Sequence, residues 1–291
     1  MKALIKRNLL LYFRNKSGVF FSVLGALISF ILYLIFLKET MTPDWPQLSQ
    51  SNQLLDTWLI SGTLTVTAIT TTLTSLTQVV KDRETKVFYD LSLTDIGARR
   101  LRLSYLLSAT LIGMIMQAIL FIVMFTYFYY VNHTVIHLLQ LINVFLLMLF
   151  SALLSATLNL AIIQQIKTVD TLAKFSSIVG TAAGFLVGTY VPIGALPHFA
   201  QALMKLTPGS YIASLYRQIL LAPTLSEVFK NNPTVGETFE EAMGVRLKIT
   251  ELLTFQQTYI LVILMMCIAL LVALLPQWLK KYKKYHTLFR E

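Results

Sequence analysis

The sequence predicts an all-α membrane protein that crosses the bilayer six times. Hydrophobic residues make up 56% of its 291 residues and charged residues only 13%, a balance that soluble domains do not have. Six apolar runs are long enough to cross roughly 30 Å of hydrocarbon as helices. The basic residues lie mostly between these runs. We therefore expect residues 1–291 to form one transmembrane domain.

The six apolar runs are the predicted transmembrane helices. They cover residues 17–37, 57–80, 103–131, 138–163, 171–191 and 256–279, and the apolar centre of the last is Tyr259 to Leu275. The first run follows a basic start, as in a secretory signal, but it is longer than a signal's apolar region and has no small-x-small cleavage pattern. We expect it to remain as a membrane helix.

The distribution of Lys and Arg predicts the orientation. Of the 24 such residues, 18 lie in the N-terminal segment, the C-terminal tail and the loops that six crossings place on the same side. Because basic residues are enriched in cytoplasmic loops, both termini are predicted to be cytoplasmic, with the protein in the plasma membrane. Topology and lipid contact also account for the net charge of +10, so no nucleic-acid partner is expected.

Residues 1–16 are too short and too charged to cross the bilayer. On a helical wheel they separate into a basic face and an apolar face. The basic face holds Lys2, Lys6, Arg7 and Arg14, and the apolar face holds Leu4, Ile5, Leu9, Leu11 and Tyr12. This pattern predicts a helix that lies in the cytoplasmic interface of the membrane.

The cytoplasmic loop of residues 81–98 is the most informative segment. It begins Lys81-Asp82-Arg83-Glu84, and apolar Phe88, Leu91 and Leu93 interrupt its charges. Such a pattern is typical of a short amphipathic helix that docks against another protein. The alternative is a solvated loop whose basic residues only set the topology, and composition alone favours that alternative.

The extracellular region of residues 192–254 begins with two apolar pieces. Ala195 to Leu206 and Tyr211 to Leu221 are too short to cross the membrane, and Thr207-Pro208-Gly209 separates them. We expect them to form a re-entrant helical hairpin that enters the membrane and returns.

A small folded lid is predicted to cover this hairpin. The stretch from Pro223 to Thr254 is rich in acidic residues. Within it, Thr224 with Glu227 and Thr234 with Glu237 have the spacing of capping boxes. Two short helices are therefore expected in the lid.

The cytoplasmic loop and the hairpin resemble those of the ABC type-2 permease family. In that family the loop after the second span begins with a Lys-acid-Arg-Glu sequence and continues into a Leu-rich stretch, as Lys81-Asp82-Arg83-Glu84 and Leu91 to Ile96 do here. This chain has Thr94-Asp95 where many relatives have Thr-Pro. The difference affects the prediction of the turn at this point and not that of the amphipathic helix before it. The similar positions of the hairpin are Val191-Pro192, Leu196-Pro197, Leu206-Thr207-Pro208, Tyr211, Leu215 and Arg217. The resemblance covers nearly the whole chain except Pro223 to Thr254.

The resemblance implies the permease subunit of an ATP-binding cassette exporter, which is not itself an enzyme. Two such subunits, identical or paralogous, pair in the membrane, and each binds a cytoplasmic ATPase through the loop helix. This chain has no G-x-x-x-x-G-K-[ST] phosphate-binding loop, so ATP and Mg²⁺ are expected on a separate ATPase, with no cofactor on this chain. The residues implied in coupling to the ATPase are Asp82, Arg83, Glu84, Phe88, Tyr89 and Leu91.

Small residues predict close helix packing in the first and fifth spans. Gly180, Gly184 and Gly188 form a G-x-x-x-G-x-x-x-G pattern, and Gly25 with Ser29 forms small-x-x-x-small. This spacing fits packing within one bundle as well as it fits an interface between subunits. The resemblance places these two spans at the subunit interface, which favours a role for the five residues in dimerisation.

The second span is rich in hydroxyl residues. They occur on every face, and a threonine in a helix commonly donates to a carbonyl of the preceding turn. A subset is expected to line the translocation path instead, because polar groups within a membrane face protein or water. That subset is Thr63, Thr67, Thr70 and Thr74.

The sequence predicts neither a catalytic site nor a metal site. His133 and His137 lie in a short outer turn without a third ligand, so an interfacial role fits them better than zinc. Asp82 and Glu84 lie in a charged loop and do not form an acid/base pair. These features argue against a membrane enzyme. The absence of buried ion pairs in the predicted spans also argues against an ion-coupled carrier, which normally needs intramembrane Asp, Glu or His.

The predicted cargo is an amphiphilic or hydrophobic compound such as a drug, toxin, haemolysin or antimicrobial peptide. Two alternatives stay open. An exporter of lipid-linked polysaccharide would use aromatic side chains to stack on sugars, and the third span offers Phe121, Phe125, Tyr127, Phe128, Tyr129 and Tyr130. A passive immunity protein would shield the membrane without any ATPase.

Overall fold

The computed structural model describes residues 1–37 and 52–288, with side chains for residues 1–35 and 53–273. Within these residues the chain is helical, and its extended structure is an isolated bridge between Lys248 and Leu252. The predicted all-α class is therefore confirmed. Two of the 24 basic residues counted for the orientation, Lys38 and Arg290, lie outside the described residues.

Eleven α-helices follow one another in the described ranges. They are α1 (Lys2–Arg14), α2 (Lys16–Leu32), α3 (Asn52–Glu84), α4 (Val87–Leu93), α5 (Gly97–Asn132), α6 (Leu138–Ile163), α7 (Val169–Leu186), α8 (His198–Leu206), α9 (Pro208–Val228), α10 (Pro233–Ala242) and α11 (Phe255–Leu288). A π-helical turn, Tyr33–Leu37, extends α2, and a 3₁₀ turn, Ile193–Ala195, precedes α8.

Helix α3 forms the centre of the bundle. It packs against α2, α5, α6, α7 and α9, and most of its side chains are buried. Helices α2 and α11 lie at the periphery, and only 22% and 17% of their apolar windows are buried. This arrangement follows from composition, because hydroxyl-bearing helices in a membrane need protein neighbours, whereas large apolar side chains tolerate lipid.

Five helical stretches are long and apolar enough to cross a membrane within the described residues. They are Lys16–Ile35, Gln53–Glu84, Gly97–Asn132, Leu138–Ile163 and Phe255–Ala273. The chain is thus a multi-pass membrane protein. The predicted fifth span, residues 171–191, corresponds to α7, which has 18 residues and is not among the five. Charged Asp170 and Lys174 near its start reduce its apolar character.

Helix α1 forms within the segment predicted to be interfacial, and it packs on α5. Its buried face is Leu4, Asn8 and Tyr12. The Asn8 amide donates to Ser108 Oγ over 3.2 Å, and the Tyr12 and Ser22 hydroxyls lie 2.7 Å apart. Polar contacts as well as apolar ones therefore fix α1 to the bundle.

The predicted loop helix is present as α4. The first charged residues of the predicted loop continue α3 as far as Glu84, and the chain then turns at Lys86, whose φ is 65°. Helix α4 packs on both α3 and α5. Residues 81–98 therefore form an ordered helical corner, and the alternative of a solvated loop is not what the structure shows.

The hairpin consists of α8 and α9, but its second arm is longer than the dozen residues predicted. Helix α9 has 21 residues and continues through Pro223. A proline inside a helix leaves the carbonyl four residues earlier without its usual donor. That carbonyl belongs to Ile219, and it accepts a hydrogen bond from Gln140 Nε2 of α6 over 2.9 Å. The contact between helices lets α9 continue past the proline.

Both capping boxes predicted for the lid are wrong. Thr224 lies inside α9, because the helix does not stop at the proline. The second predicted lid helix exists as α10, but it begins at Pro233 after Asn232, and no side chain caps it. Thr234 lies within its first turn, where its carbonyl accepts a bond from the Thr238 hydroxyl. Proline at the first helical position replaces the threonine cap.

Candidate functional site

A buried carboxylate organises the end of the bundle next to α4. Asp82 is 2% exposed and accepts hydrogen bonds from Arg7 Nη1 at 2.8 Å and Arg7 Nη2 at 3.0 Å. Gln78 Nε2 donates to it over 2.6 Å, and the Tyr105 hydroxyl donates to it as well. We call these four residues the Asp82 node. It joins α1, α3 and α5 through a two-point ion pair and two neutral donors.

The Asp82 node favours the charged form of Arg7. The hydrogen bond from Arg7 to Asp82 is the largest influence on this guanidinium, and it raises the pKa of Arg7 above its ordinary value. A more basic guanidinium remains protonated wherever the carboxylate is ionised. The guanidinium is therefore charged wherever Asp82 is ionised, so the ion pair persists as long as the carboxylate keeps its charge.

Helix α4 is held from one side and exposed on the other. Phe88 is buried and stacks on Tyr105, with 6.4 Å between ring centroids and 16° between ring planes. Leu91 is half-buried against the same cluster. In contrast, Tyr89 is 60% exposed and Leu93 is 86% exposed. These two side chains are four residues apart, so they share one face of the helix.

The six residues implied in coupling therefore have different surroundings. Phe88 holds α4 in place from inside the chain, and Asp82 fixes the preceding end of α3, whereas Tyr89 is available to a partner. Glu84 accepts the backbone N–H of Val169 over 3.0 Å and so connects α3 to the start of α7. Leu93 was not among the six, although its position four residues after Tyr89 could have identified it from the sequence.

A groove of about 810 Å³ lies between α2, α3 and α7. Four predicted residues line it together: Gly25 of α2, Thr70 and Thr74 of α3, and Gly180 of α7. The rest of the lining is mainly apolar, and the hydroxyl of Thr77 continues the row of threonines. A mostly apolar concave surface with a few hydroxyl groups fits an amphiphilic ligand.

Two of the four predicted path threonines lie elsewhere. Thr63 and Thr67 are fully buried and do not line the groove. Thr63 donates to the Leu59 and Ile60 carbonyls, each at 2.9 Å. Thr70 and Thr74 also donate to carbonyls of the preceding turn, each over 2.9 Å. All four threonines therefore donate to backbone carbonyls of the preceding turn. Thr70 and Thr74 differ from Thr63 and Thr67 only in their position on α3, which places them in the wall of the groove.

The small residues of α2 and α7 meet within one chain. A Cβ atom added to Gly25 would lie 3.2 Å from the carbonyl oxygen of Gly180, so these helices approach closely there. Ser29 is buried and donates to the Gly25 carbonyl over 3.0 Å. A Cβ atom on Gly180 would meet nothing within 4 Å. Gly180 therefore opens into the groove, while Gly25 provides the close approach.

The other two glycines of α7 shape the end of the helix. A side chain on Gly184 would collide with the ring of Tyr190. Gly188 has a φ of 69°, a left-handed conformation that favours glycine, and it ends the helix. For Gly184 and Gly188 the structure supports packing within the chain, which was one of the two alternatives that the spacing allowed.

A buried arginine anchors the outer part of the bundle, and sequence reasoning missed its role. Arg217 of α9 is 2% exposed. Its guanidinium donates to the carbonyls of Gly188 at 2.7 Å, Val187 at 3.4 Å and Gly244 at 3.1 Å, and it lies 4.9 Å above the Trp58 ring. The carbonyls at the end of α7 carry the negative end of the helix dipole, which favours a cation there. An arginine inside the apolar stretch Tyr211 to Leu221 was the available signal.

Asp56 is a second residue that sequence reasoning missed. It is fully buried in the first turns of α3, one residue before the predicted start of the span. It accepts hydrogen bonds from the Tyr33 hydroxyl at 2.6 Å, Asn132 Nδ2 at 2.7 Å and the Thr134 hydroxyl at 3.1 Å. The apolar stretch Gln53–Glu84 therefore includes acidic residues, and the argument against an ion-coupled carrier is weaker than the sequence suggested.

The two outer histidines serve the turn between α5 and α6. His133 has a φ of 54° and ends α5, while His137 precedes α6, its backbone N–H donating to the Gln140 side chain. Both are exposed. Their positions fit turn residues better than metal ligands.

These features together define a class of protein. A multi-pass helical bundle, with a short amphipathic helix held between two long spans and an apolar groove along the central helix, has the architecture expected of a transporter membrane domain. The chain belongs to the ABC-2 type transporter family, whose model matches residues 1–221. Membership implies a permease subunit that works with an ABC ATPase and is not itself catalytic.

The family match is shorter than the resemblance suggested. It ends within α9, so it includes α1 to α8 but neither α10 nor α11. No curated protein is similar enough to the chain to be matched.

Proposed function

We propose that the chain is the permease subunit of an ABC exporter that moves an amphiphilic or hydrophobic compound out of the cell. Drugs, toxins, haemolysins and antimicrobial peptides belong to this class. The observation that carries the proposal is the groove, in which Thr70 and Thr74 face apolar walls from α2 and α7. A separate ATPase binds ATP and Mg²⁺ and docks on α4.

Two permease subunits, identical or paralogous, pair across the groove. The groove is open to one side, and exposed apolar side chains flank it: Phe21 on α2 is 67% exposed, and Ile178 and Phe185 on α7 are 66% and 52% exposed. A second subunit on this face would cover these side chains and enclose the groove. Gly180 would then face the shared cavity.

In this proposal α7 also crosses the membrane, as the fifth of six spans, and both termini are cytoplasmic. A helix of 18 residues covers about 27 Å, close to the hydrocarbon thickness. The Asp82 node and α4 then lie on the cytoplasmic side, where the basic residues of residues 81–102 satisfy the positive-inside rule. The hairpin and the lid lie outside.

The polysaccharide alternative receives less support. Phe121 and Phe128 of α5 are buried among neighbouring side chains, and Tyr129 and Tyr130 are exposed at its outer end. None of the aromatic residues of α5 lines the groove. The aromatic side chains that could stack on a sugar are therefore not placed along the proposed path.

The test is binding and turnover of the ATPase that co-purifies with the tagged full-length chain. Replacing both Tyr89 and Leu93 by alanine should abolish stimulated ATP hydrolysis in proteoliposomes, because these side chains form the exposed face of α4. The matched control replaces Leu138 and Leu139, which are equally exposed at the other end of the bundle. If the wild-type chain binds no ATPase, the exporter proposal fails and the passive immunity protein becomes the better explanation.

A further inference from the structure

Two arginines lie beside the Asp82 node without an anionic partner. The guanidinium of Arg83, at the end of α3, lies 5.6 Å above the ring of Phe88. Arg102 lies one turn before Tyr105 on α5, and its charge acts on Arg83. Both side chains are half-buried. The Nε atom of Arg102 is buried and has no hydrogen-bond partner in the described part of the chain.

The acidic residues of this region are engaged elsewhere or are exposed. Asp82 already accepts from Arg7, Gln78 and Tyr105, and Glu84 accepts the Val169 N–H. Asp90 and Asp95 are exposed, and neither forms an ion pair among the described residues. Two adjacent, partly desolvated cations without an anion raise the free energy of the isolated subunit.

We propose that Arg83 and Arg102 together bind an acidic side chain of the ATPase subunit. This inference rests on the proposed function, because it adds a charged contact to the apolar face of α4. A guanidinium presents paired N–H donors that match the two oxygens of a carboxylate, and a second guanidinium increases the attraction. Arg83, at the end of α3, lies against Phe88 of α4, the helix on which the ATPase docks. That position favours a protein carboxylate over the phosphate of a lipid headgroup.

The helices that carry the two arginines are held in place by contacts within the permease itself. The Asp82 node fixes the end of α3 next to Arg83, and the stacked rings of Phe88 and Tyr105 fix α4 against α5. Arg83 lies over the Phe88 ring of this stack, and Arg102 lies one turn before Tyr105, so both cations flank the same pair of rings. An anion bound between Arg83 and Arg102 offsets the repulsion between the two guanidinium groups. The complex with the ATPase is therefore electrostatically more favourable than the free permease.

The experiment measures the affinity of the purified ATPase for the full-length permease in nanodiscs of neutral phosphatidylcholine. Arg102→Gln should weaken binding by about tenfold or more, the effect of losing one hydrogen-bonded charge contact. The matched control is Arg100→Gln, which removes the same charge from an exposed position on the same helix and should change the affinity by less than about twofold.

A second measurement separates binding from folding. Because Arg102 is an uncompensated, half-buried charge in the free subunit, Arg102→Gln should leave the thermal unfolding midpoint of the permease alone unchanged or higher. A residue with a purely structural role would give the opposite sign. Weaker ATPase binding together with an unimpaired midpoint supports the proposal, and a lowered midpoint overturns it.

The outcomes also separate this inference from the proposed function. If the wild-type permease binds no ATPase, the proposed function itself fails. If the wild type binds but Arg102→Gln and Arg83→Gln bind equally well, only the arginine pair is wrong. Should these variants instead lose retention of phosphatidylglycerol in native mass spectrometry, with ATPase affinity unchanged, the occupant is a lipid headgroup and the proposal is overturned.

Discussion

Two buried charges of opposite sign are held in different ways. Asp82 is paired with a cation, Arg7, and its remaining hydrogen bonds come from neutral side chains. Arg217 is surrounded by backbone carbonyls and the Trp58 ring, with no carboxylate among its bonded partners in the described residues. Both arrangements offset part of the cost of burying a charge, although Nε of Arg217 has no hydrogen-bond partner in the described part of the chain.

Removing the charge of Asp82 should destabilise the junction of α1, α3 and α5. Asp82→Asn leaves Arg7 without its anion, and we expect a loss of about 1–3 kcal/mol, moderated because Arg7 is partly exposed. The measurement is the thermal unfolding midpoint of the detergent-solubilised protein. Asp90→Asn, an exposed carboxylate on α4, is the control. Equal midpoints for the two variants would mean that the ion pair is not a stabilising contact.

Removing the guanidinium of Arg217 should loosen the outer part of the bundle. Arg217→Met keeps most of the apolar volume but leaves the carbonyls of Gly188 and Gly244 without their donor, at a cost of at least about 2 kcal/mol. We expect faster proteolysis of residues 229–254 in the folded protein. Lys230→Met is the control, since Lys230 is exposed on the same lid. Unchanged proteolysis would show that the lid is held by other contacts.

At the scale of helices, α9 illustrates how one element depends on another. Pro223 removes a backbone donor, and Gln140 of α6 supplies a replacement at the Ile219 carbonyl. Within a membrane such a replacement matters more than in water, because no solvent competes for the carbonyl. The length of α9 is thus set partly by a side chain of α6.

The dependence of α9 on α6 can be tested by a double-mutant cycle. Gln140→Leu should lower the free energy of unfolding by about 1–3 kcal/mol, because it leaves the Ile219 carbonyl without a donor. Adding Pro223→Ala restores a backbone N–H at that position, so the double variant should recover most of the loss. Thermal or denaturant unfolding of the four proteins gives the coupling energy. Strictly additive effects would contradict the compensation.

The sequence predicted the ends of a helix correctly where polar residues flank an apolar run on both sides. The span predicted at 138–163 matches α6, which lies between His137 and Gln164. The same reasoning failed for α9, because a proline normally signals the end of a helix and the compensating donor lies in a different helix. It failed for α3 as well, where hydrogen bonds from distant residues bury Asp56 in a helix that local polarity suggested should start later.

At the scale of the whole molecule, burial is unevenly distributed. Helix α3 is enclosed, whereas α2, α7 and α11 each present large apolar side chains to the outside. Two of these three helices border the groove. The faces beside the groove are therefore the expected subunit interface, and the exposed face of α11 is expected to contact lipid.

Cross-linking distinguishes these two faces. In a background with Cys267 replaced by serine, Ile178→Cys on α7 should form a disulfide-linked dimer in native membranes under mild oxidation. Ile260→Cys on α11 is the control, because its parent side chain is similarly exposed, at 61% against 66% for Ile178. Cross-linking of the α11 variant alone would place the interface on the opposite side and leave the groove open to lipid.

The functional site was predictable in outline but not in its contacts. The resemblance identified the loop around Asp82, and spacing identified Gly25 and Gly180, because both signals are local in the sequence. The ion pair of Asp82 with Arg7 joins residues 75 positions apart, which a single sequence does not reveal. Likewise, the residues that line the groove depend on which face of α3 packs against α2 and α7. Because hydroxyl residues occur on every face of α3, the sequence does not indicate which face this is.

The continuity of α3 has a mechanical consequence. At 33 residues it is a rod of about 50 Å, with Asp56 fixed near one end and Asp82 near the other. Threonine hydroxyls that bond to the preceding turn make a helix easier to bend, and they are concentrated between these two anchors. A push at the Asp82 end would therefore be absorbed as curvature at mid-length, where Thr70 and Thr74 face the groove.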